Sequence, residues 1–108
     1  MRVEILTTSM LLDTCVLAGL VKKDAYGYIL TQRITKEINV SESSLYPALR
    51  RLQKDGNLES YDQPHNGRNR RYYRITDKGK QTFQANYDVW QKTKRAIDRI
   101  MKGAVEDE

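Results

Sequence analysis

The side chains best suited to chemistry in this 108-residue sequence are cations and hydroxyls gathered in the middle of the chain. Residues 41–80 hold 9 Lys and Arg against 5 Asp and Glu, whereas residues 1–40 hold 5 against 4 and residues 81–108 hold 5 against 5. Localised positive charge attracts polyanions and speeds their encounter with a protein. The charge distribution therefore favours recognition of an anionic polymer by residues 41–80.

Residues that could form a catalytic or metal centre are scarce. Cys15 is the one cysteine and His65 the one histidine, so no zinc or transition-metal set occurs at ligand spacing. A lone cysteine cannot close an internal disulfide, which favours a reducing cytoplasm. The sequence has no uninterrupted run of about 18 apolar residues, the length that would predict a membrane-spanning helix. We therefore predict a cytoplasmic protein that is not an enzyme, with no catalytic residues, no metal and no cofactor.

The stretch Ser41–Gly56 has the start signal, the stop signal and the two unlike faces of a short helix. Ser41 or Ser43 is the predicted N-cap, and Gly56 is the predicted C′ residue. At about 100° per residue, the apolar face carries Leu45, Ala48, Leu49 and Leu52. The opposite face carries Ser43, Tyr46, Pro47, Arg50 and Lys54, with Arg51 at its margin. Such a helix can pack into a domain and present hydroxyls, an aromatic ring and cations to a DNA groove or to solvent.

The segment after this helix predicts a β-hairpin. Leu58–Asp62 and Arg70–Ile75 are the expected strands, joined by a polar turn over residues 62–69. Between Gln63 and Arg74 the chain has no acid and four arginines, namely Arg68, Arg70, Arg71 and Arg74. A helix followed by a hairpin with an arginine-rich tip outlines a winged helix-turn-helix.

Three motifs make the chain similar to a known family. Tyr26-Gly27-Tyr28 is followed by Ser44-Leu45-Tyr46-Pro47-Ala48-Leu49-Arg50-Arg51-Leu52, and then by Gly67-Arg68-Asn69-Arg70-Arg71-Tyr72-Tyr73-Arg74-Ile75-Thr76. In this order and spacing they resemble the PadR family of bacterial transcriptional regulators. Two departures are Asn69, where the family often has proline, and Asn57, where it often has an apolar residue. We therefore expect a looser wing tip and altered packing at the start of the first strand.

The N-terminal part predicts two helices that support the helix over residues 41–56, which would be the recognition helix of a winged helix-turn-helix. Met1–Val21 is the expected first helix, and its apolar stripe is wide enough to indicate contact with another subunit. That stripe comprises Ile5, Leu6, Met10, Leu12, Cys15, Val16 and Leu20. The second helix is expected over residues 25–38, with Asp24 as N-cap and Tyr26 in the core. Its other inward residues are Ile29, Leu30, Ile34 and Ile38. Either a close backbone approach or a later helix start would explain Gly27.

Thr76 is the predicted N-cap of the last helix, which runs without proline to about residue 102. Apolar residues recur at heptad spacing, with Lys94 at one polar position. The predicted dimer interface along this stripe comprises Phe83, Tyr87, Trp90, Ile97 and Met101, followed by Ala104. Because the stripe is longer than its own domain can cover, we predict a homodimer. Residues 1–79 are then the DNA-binding domain and residues 80–108 the dimerisation helix, with a frayed acidic end over residues 106–108.

Together these observations predict a mainly α fold with a small β-hairpin, namely a winged helix-turn-helix plus a long C-terminal dimerisation helix. The favoured function is a transcriptional regulator that binds double-stranded DNA sequence-specifically as a homodimer on an inverted repeat; the resemblance implies a repressor. The predicted DNA-binding residues are Ser43, Ser44, Tyr46, Pro47, Arg50, Lys54, Arg68, Arg70 and Arg71. The resemblance also implies a planar aromatic effector stacked on Trp90, whose other interpretation is a core aromatic.

Two alternatives stay open. A winged helix can be a protein-interaction module without DNA binding, and the retained arginines speak against that interpretation. An RNA-binding protein is the other. Sequence-specific RNA-binding modules stack bases on exposed aromatic platforms, whereas the aromatics here are expected mostly at core or dimer positions.

Overall fold

The computed structural model of the protein describes residues 2–106, which form four helices and a three-stranded antiparallel sheet. In chain order the elements are α1 (Thr8–Ala18), β1 (Ala25–Tyr26), α2 (Gly27–Glu37), α3 (Glu42–Lys54), β2 (Leu58–His65), β3 (Arg68–Ile75) and α4 (Asp77–Glu106). The strand order is β1-β3-β2, so a short strand before α2 joins the expected hairpin. The predicted fold, a winged helix-turn-helix with a long last helix, is confirmed.

The hydrophobic core lies between the first three helices and the base of the sheet. Leu17 of α1, Leu30 of α2 and Leu45 of α3 are fully buried. The apolar face predicted for the recognition helix is confirmed, because Leu45, Ala48, Leu49 and Leu52 are all at most 3% exposed. Burying one such leucine contributes about 1.5–3 kcal/mol, so this face fixes α3 and turns its opposite face outward. Ile38, expected on the inner side of α2, is 42% exposed at the end of that helix.

The first helix is shorter than predicted. Residues 2–7 are not helical, and α1 begins after Thr7, whose hydroxyl accepts a hydrogen bond from the Met10 N–H at 3.1 Å. This hydroxyl satisfies one of the unpaired donors of the first turn. Ile5 and Leu6 therefore precede the helix; Leu6 is buried and Ile5 is 66% exposed.

The second helix begins at Gly27, two residues later than predicted, because Ala25 and Tyr26 pair with β3. Asp24 does not cap it, since its carboxylate accepts a hydrogen bond from the Tyr61 hydroxyl at 2.6 Å. Tyr26 is only half-buried and lies on the sheet, so its assignment to the core is wrong. A Cβ at Gly27 would meet other side chains only at 3.4 Å or more. The later helix start, and not a close backbone approach, explains this glycine.

The hairpin of β2 and β3, called the wing below, is longer and tighter than predicted. Its turn is only Asn66-Gly67, with φ of 53° and 80°, whereas the sequence predicted a turn over residues 62–69. Positive φ at both central residues is what a type I′ turn requires, and its twist suits two-stranded hairpins. Asn69, expected to loosen the tip, pairs with Pro64 in the ladder. The arginines expected at a loose tip are therefore held in a strand.

Asn57 lies where α3, the wing and α4 meet, and it is 6% exposed. Its N–H donates to the Leu52 carbonyl at 2.8 Å, and its carbonyl accepts the Thr76 N–H at 3.0 Å. Its side-chain Oδ1 accepts the Thr82 hydroxyl at 2.8 Å. Buried polar groups are tolerated when they are hydrogen-bonded, so this asparagine anchors the junction. Gly79 lies so close that a Cβ there would be 2.2 Å from the Asn57 carbonyl oxygen.

The last helix, α4, has 30 residues and is about 45 Å long at 1.5 Å per residue. Its predicted N-cap is confirmed, because the Thr76 hydroxyl accepts the Gly79 N–H at 3.0 Å. The helix continues through Glu106, which was expected to belong to the frayed end. Asp107 and Glu108, the rest of that expected end, lie outside the described residues. The length of α4 dominates the molecule, whose extents are 63 × 27 × 21 Å.

We expect Gly79→Ala to destabilise the fold, because the new Cβ would overlap the Asn57 carbonyl oxygen and push α4 from the junction. Overpacking costs about 1–3 kcal/mol, and a backbone oxygen cannot rotate away as a side chain can. The expected loss in free energy of unfolding is therefore near the upper end, about 3 kcal/mol. Urea denaturation followed by circular dichroism measures it.

Gly103→Ala is the matched control in the same helix, because nothing lies within 4 Å of a Cβ at that position. Alanine is the better helix former by about 1 kcal/mol, so this variant should be more stable than the parent. Similar stability changes in the two variants would contradict a close approach at Gly79.

Candidate nucleic-acid interface

The N-terminal end of α3 carries a cluster of exposed hydroxyls. Ser41 occupies the N-cap position, but its side chain makes no capping hydrogen bond. Its Oγ lies 2.9 Å from the Oγ atoms of both Ser43 and Ser44. A helix N-terminus whose N–H groups have no side-chain acceptor favours an anion such as a phosphate. The start of α3 is therefore suited to a negatively charged partner.

The outer face of α3 continues with Tyr46, Pro47, Arg50 and Lys54. Tyr46 is 36% exposed, and Arg50 and Lys54 are exposed with no ion-pair partner among residues 2–106. Pro47, inside the helix, lacks the N–H that would bond to the carbonyl of Ser43 four residues earlier. This face therefore offers hydrogen-bond donors and cations without an ion-pair partner.

The wing meets this face of α3 at Tyr73. The rings of Tyr73 and Tyr46 both approach Gly27. They lie 3.4 and 3.7 Å from the point that a Cβ at this position would occupy. Burial raises the pKa of the Tyr73 hydroxyl, while the positive charges of Arg71 and Arg50 act in the opposite direction. One arginine from the wing and one from α3 therefore act electrostatically on the same phenol. Strand alternation puts Tyr73 on the same face as the buried Ile75, and no sequence signal indicates that both arginines act on its hydroxyl.

The three arginines predicted as wing contacts lie on two faces of the sheet. Residues alternate along a strand, so Arg68 and Arg70 share the outer face while Arg71 shares the face of Tyr73. Arg71 lies 3.7 Å from Asp62, and both side chains are exposed. Arg68 is exposed beside the turn, whereas Arg70 is half-buried with its guanidinium 4.7 Å from the centroid of the Tyr26 ring. Arg68 is therefore available to a partner, and Arg70 is partly committed to the wing.

A ladder of tyrosines crosses the outer face of the sheet, with one residue from each strand. Tyr61 of β2 stacks on Tyr72 of β3 at 5.6 Å, and Tyr26 of β1 meets Tyr72 edge-on at 5.5 Å. The expectation that the aromatics lie mostly at core or dimer positions is wrong for these three. Arg70 lies over Tyr26 and Arg74 over Tyr61. The ladder therefore stiffens the wing and does not present open ring faces for bases.

Arg74 is held at the base of this ladder. Its guanidinium lies 4.9 Å from the Tyr61 centroid, and its nitrogens lie 3.4 Å from Asp24 and 3.8 Å from Glu59. Glu59 lies directly opposite Arg74 in the strand register. The hydrogen bond that the Tyr61 hydroxyl donates to Asp24 raises the pKa of Tyr61, and desolvation of the hydroxyl acts in the same direction. Arg74 therefore serves the wing and is not part of the candidate interface.

Arg51, at the margin of the outer face, points to α1 instead. Its Nη2 donates to Asp13 Oδ1 at 2.7 Å. Asp13 belongs to the same helix as Thr14, whose hydroxyl accepts a hydrogen bond from Asn86 of α4 at 3.0 Å. Polar contacts therefore link the recognition helix to α1, and α1 to α4.

α4 exposes most of the stripe predicted as a dimer interface. Tyr87, Trp90 and Met101 are 43%, 37% and 63% exposed. Phe83 packs against the domain core and stacks on Tyr87 at 5.9 Å. A groove of about 440 Å³ is lined by Trp90, Lys94, Arg95, Ile97, Asp98 and Met101. An exposed apolar stripe of this kind, interrupted at Lys94, marks a surface suited to another molecule.

The described residues show no other centre of chemistry. Across residues 2–106, no three His, Cys, Asp or Glu side chains come together as a metal site. No helix in that range is long and apolar enough to cross a membrane. Cys15 is half-buried against the core, and burial raises the pKa of its thiol. A thiol in this state is less readily ionised and therefore less reactive.

Several known proteins are similar to this chain in sequence and fold. Residues 16–85 match the transcriptional regulator PadR-like family. The crystal structure of smu.1704 from Streptococcus mutans is 38% identical, with a TM-score of 0.83 over 89% of this chain and 91% of that chain. The PadR-like transcriptional regulator BC4206 from Bacillus cereus is 31% identical, with a TM-score of 0.78 over 86% and 93%. The transcriptional regulator Rv3488 from Mycobacterium tuberculosis is 41% identical over 58 residues, 53% of this chain and 54% of that protein.

Replacing Arg51 should destabilise the fold more than replacing its neighbour Arg50. The Arg51–Asp13 pair is short, but the two side chains are 42% and 21% exposed, so solvent screening reduces its strength. We expect Arg51→Ala to lower the free energy of unfolding by about 1 kcal/mol. Arg50→Ala, the matched control, should change it by less than about 0.5 kcal/mol. Equal losses in urea denaturation would show that the α1–α3 pair contributes nothing specific.

Proposed function

The chain belongs to the PadR-like family of transcriptional regulators, and from that premise we propose that it represses transcription by binding double-stranded DNA sequence-specifically as a homodimer in the cytoplasm. The observation that carries the proposal is the outer face of α3. Its cations Arg50 and Lys54 have no ion-pair partner within the described chain, and they lie beside the arginine-bearing wing. Residues 1–79 would form the DNA-binding domain and residues 80–108 the dimerisation helix.

In this proposal the N-terminal half of α3 enters the major groove, as recognition helices do. Ser43, Ser44 and the first N–H groups of the helix would hold a phosphate, and the Tyr46 hydroxyl would donate to another. Arg50 would grip guanine O6 and N7, a contact that discriminates against other bases by about 1–3 kcal/mol.

The wing would contact the backbone next to the groove that α3 occupies. Arg68, exposed beside the Asn66-Gly67 turn, would reach phosphate or the minor groove, with Arg70 adding charge behind it. Arg71 lies on the opposite face and shares the surroundings of Tyr73 with Arg50. It would therefore contact a phosphate between wing and helix.

A homodimer is supported by the exposed apolar stripe of α4. Tyr87, Trp90, Ile97 and Met101 repeat along one side of a helix that extends beyond its own domain, and apolar surface of this kind is covered in stable proteins. A two-fold dimer would place two copies of α3 on an inverted repeat whose half-sites lie about 10 bp, or a multiple, apart. Sedimentation equilibrium tests the stoichiometry, and a monomer at micromolar concentration would contradict it.

Arg50→Ala should weaken binding to the operator far more than binding to random duplex, because a base contact serves only the correct sequence. The expected loss is about 1–3 kcal/mol on the operator alone. Fluorescence anisotropy with both duplexes, and with structured RNA as competitor, measures it. Equal losses on the two duplexes would reassign Arg50 to the DNA backbone. Preference for the RNA competitor would contradict duplex DNA as the target.

The double variant Arg68→Ala/Arg70→Ala is the comparison for this experiment. Phosphate contacts carry no sequence information, so binding to both duplexes should weaken alike. Each phosphate contact that is lost should reduce the salt slope of log K by about 0.9. An unchanged slope would contradict a role of the wing in contacting the backbone.

We also propose that a planar aromatic effector binds beside Trp90. The indole is 37% exposed and lines the 440 Å³ groove with Ile97 and Met101. Pockets for small ligands begin at about this volume, and aromatic stacking adds roughly 0.5–1.5 kcal/mol beyond area burial. A dimer could adopt one conformation that binds DNA and another that does not. A ligand with the higher affinity for the second conformation would weaken operator binding, by an amount set by the ratio of its two affinities.

Planar cationic dyes and phenolic acids should quench the emission of Trp90 saturably, since it is the one tryptophan in the chain. In calorimetry Trp90→Ala should abolish their binding while the dimer persists. Tyr28→Ala is the control, because Tyr28 is a 53% exposed aromatic on α2 and does not line the groove. If no compound changes the emission and acrylamide cannot reach the indole, Trp90 packs only against protein.

A further inference from the structure

The third strand of the sheet supports only the base of the wing. β1 pairs with β3 at two positions, Ala25 with Tyr73 and Tyr26 with Tyr72, and the chain then leaves the sheet to begin α2. Beyond these pairs the wing continues to its turn as two strands alone, over residues 62–71. We call this outer part the wing ribbon. A two-stranded hairpin is marginally stable by itself, so backbone pairing alone leaves the wing ribbon free to bend.

The ring of Tyr26 extends over the wing ribbon where β1 ends. Its centroid lies 5.8 Å from the ring of His65 in β2, and the guanidinium of Arg70 in β3 lies 4.7 Å from that centroid. One side chain of β1 therefore contacts both strands of the wing ribbon. The Nε of Arg70 is buried and has no hydrogen-bond partner within residues 2–106, so the Tyr26 ring, and not a hydrogen bond at Nε, orients this side chain.

The two arginines on the outer face of the wing both depend on this ring. Arg70 contacts it directly. Arg68 lies opposite His65 in the ladder, and side chains opposite each other in an antiparallel pair are close enough to interact. A displacement of the Tyr26 ring would therefore move both cations.

The backbone next to Tyr26 lies against the recognition helix. Tyr46 and Leu49 of α3 are 3.7 and 3.9 Å from the point that a Cβ at Gly27 would occupy. Tyr26 itself is half-buried on the outer face of the sheet, whereas the buried Ile75 lies on the opposite face. Residues 26 and 27 therefore connect the wing ribbon to α3, and the Tyr26 ring lies outside the hydrophobic core.

We infer that Tyr26 is the positioning residue of the wing: its ring holds the wing ribbon at the angle to α3 at which Arg68 and Arg70 reach the DNA backbone. This inference rests on the proposed function and names the residue that sets its geometry. Tyr26 acts through the two arginines and not by its own contact with DNA. Loss of the ring loosens the wing ribbon without opening the core, because the core side chains lie on the other face of the sheet.

The free chain gives the first measurement. Tyr26→Leu should accelerate amide hydrogen exchange in residues 62–71 about threefold or more, because fewer contacts hold this segment closed. Exchange in α1, α2 and α3 should match the parent. Tyr26→Phe keeps the aromatic ring and should restore the parent rates. Tyr28→Leu is the matched control, because Tyr28 is an exposed ring that contacts no aromatic or arginine side chain within residues 2–106.

Binding to a random-sequence duplex gives the second measurement, because phosphate contacts carry no sequence information. In fluorescence anisotropy over a series of salt concentrations, Tyr26→Leu should weaken binding about threefold or more and reduce the salt slope of log K by up to about 0.9 for each phosphate contact that is lost. Arg68→Ala should then weaken binding less in the Tyr26→Leu chain than in the parent. In the Tyr28→Leu chain its effect should be the same as in the parent, since independent sites add.

Three results would overturn the inference, and they differ in what they leave standing. Exchange that rises equally throughout the Tyr26→Leu chain would make Tyr26 a residue of general stability. Unchanged exchange and salt slope in Tyr26→Leu, while Arg68→Ala/Arg70→Ala still lowers the slope, would overturn the inference and leave the proposed function standing. A parent chain that does not bind duplex DNA at low salt would overturn both.

Discussion

The arrangement of the molecule depends on the backbone around Asn57. In this one residue, hydrogen bonds from the end of the recognition helix, the start of the long helix and the side chain of Thr82 converge. Gly79 permits α4 to lie against the Asn57 carbonyl, where any other side chain would overlap it. The angle of α3 to the wing and the direction in which α4 leaves the domain are therefore set at the same point. The surface proposed to contact DNA and the stripe proposed to contact a second copy are therefore held by one buried junction.

Much of this fold is predictable because its strongest signals are local. The two faces of α3, the Gly56 end signal and the Thr76 cap follow from helical periodicity and from backbone groups that need partners. The boundaries that were wrong depend on distant contacts. Ala25 and Tyr26 continue the helical pattern, but a strand almost fifty residues later pairs with them. Polar residues 62–69 look like a loop, yet two positive-φ residues suffice to close the turn.

The candidate site is predictable in composition but not in geometry. Sequence identifies the arginines, and the structure divides them: Arg50 and Arg68 are exposed, Arg51 pairs with Asp13, and Arg70 lies on Tyr26. Helical spacing places Arg51 at the margin of the outer face, but it does not predict the pair with Asp13, because that acid lies on another helix. That the charges of both Arg71 and Arg50 act on the Tyr73 hydroxyl likewise depends on how the wing approaches α3. Such contacts arise from tertiary packing, which composition and periodicity do not contain.

The edges of the small sheet have a consequence for how copies of the chain can associate. β1 is only two residues long, and β2 carries Glu59, Asp62 and Pro64 along the opposite edge. Short, charged or proline-bearing edges resist the strand-to-strand addition that leads to aggregation. The sheet edges therefore disfavour self-association by strand pairing. A free chain that exposes the apolar stripe on α4 does not also expose a sheet edge on which copies could aggregate.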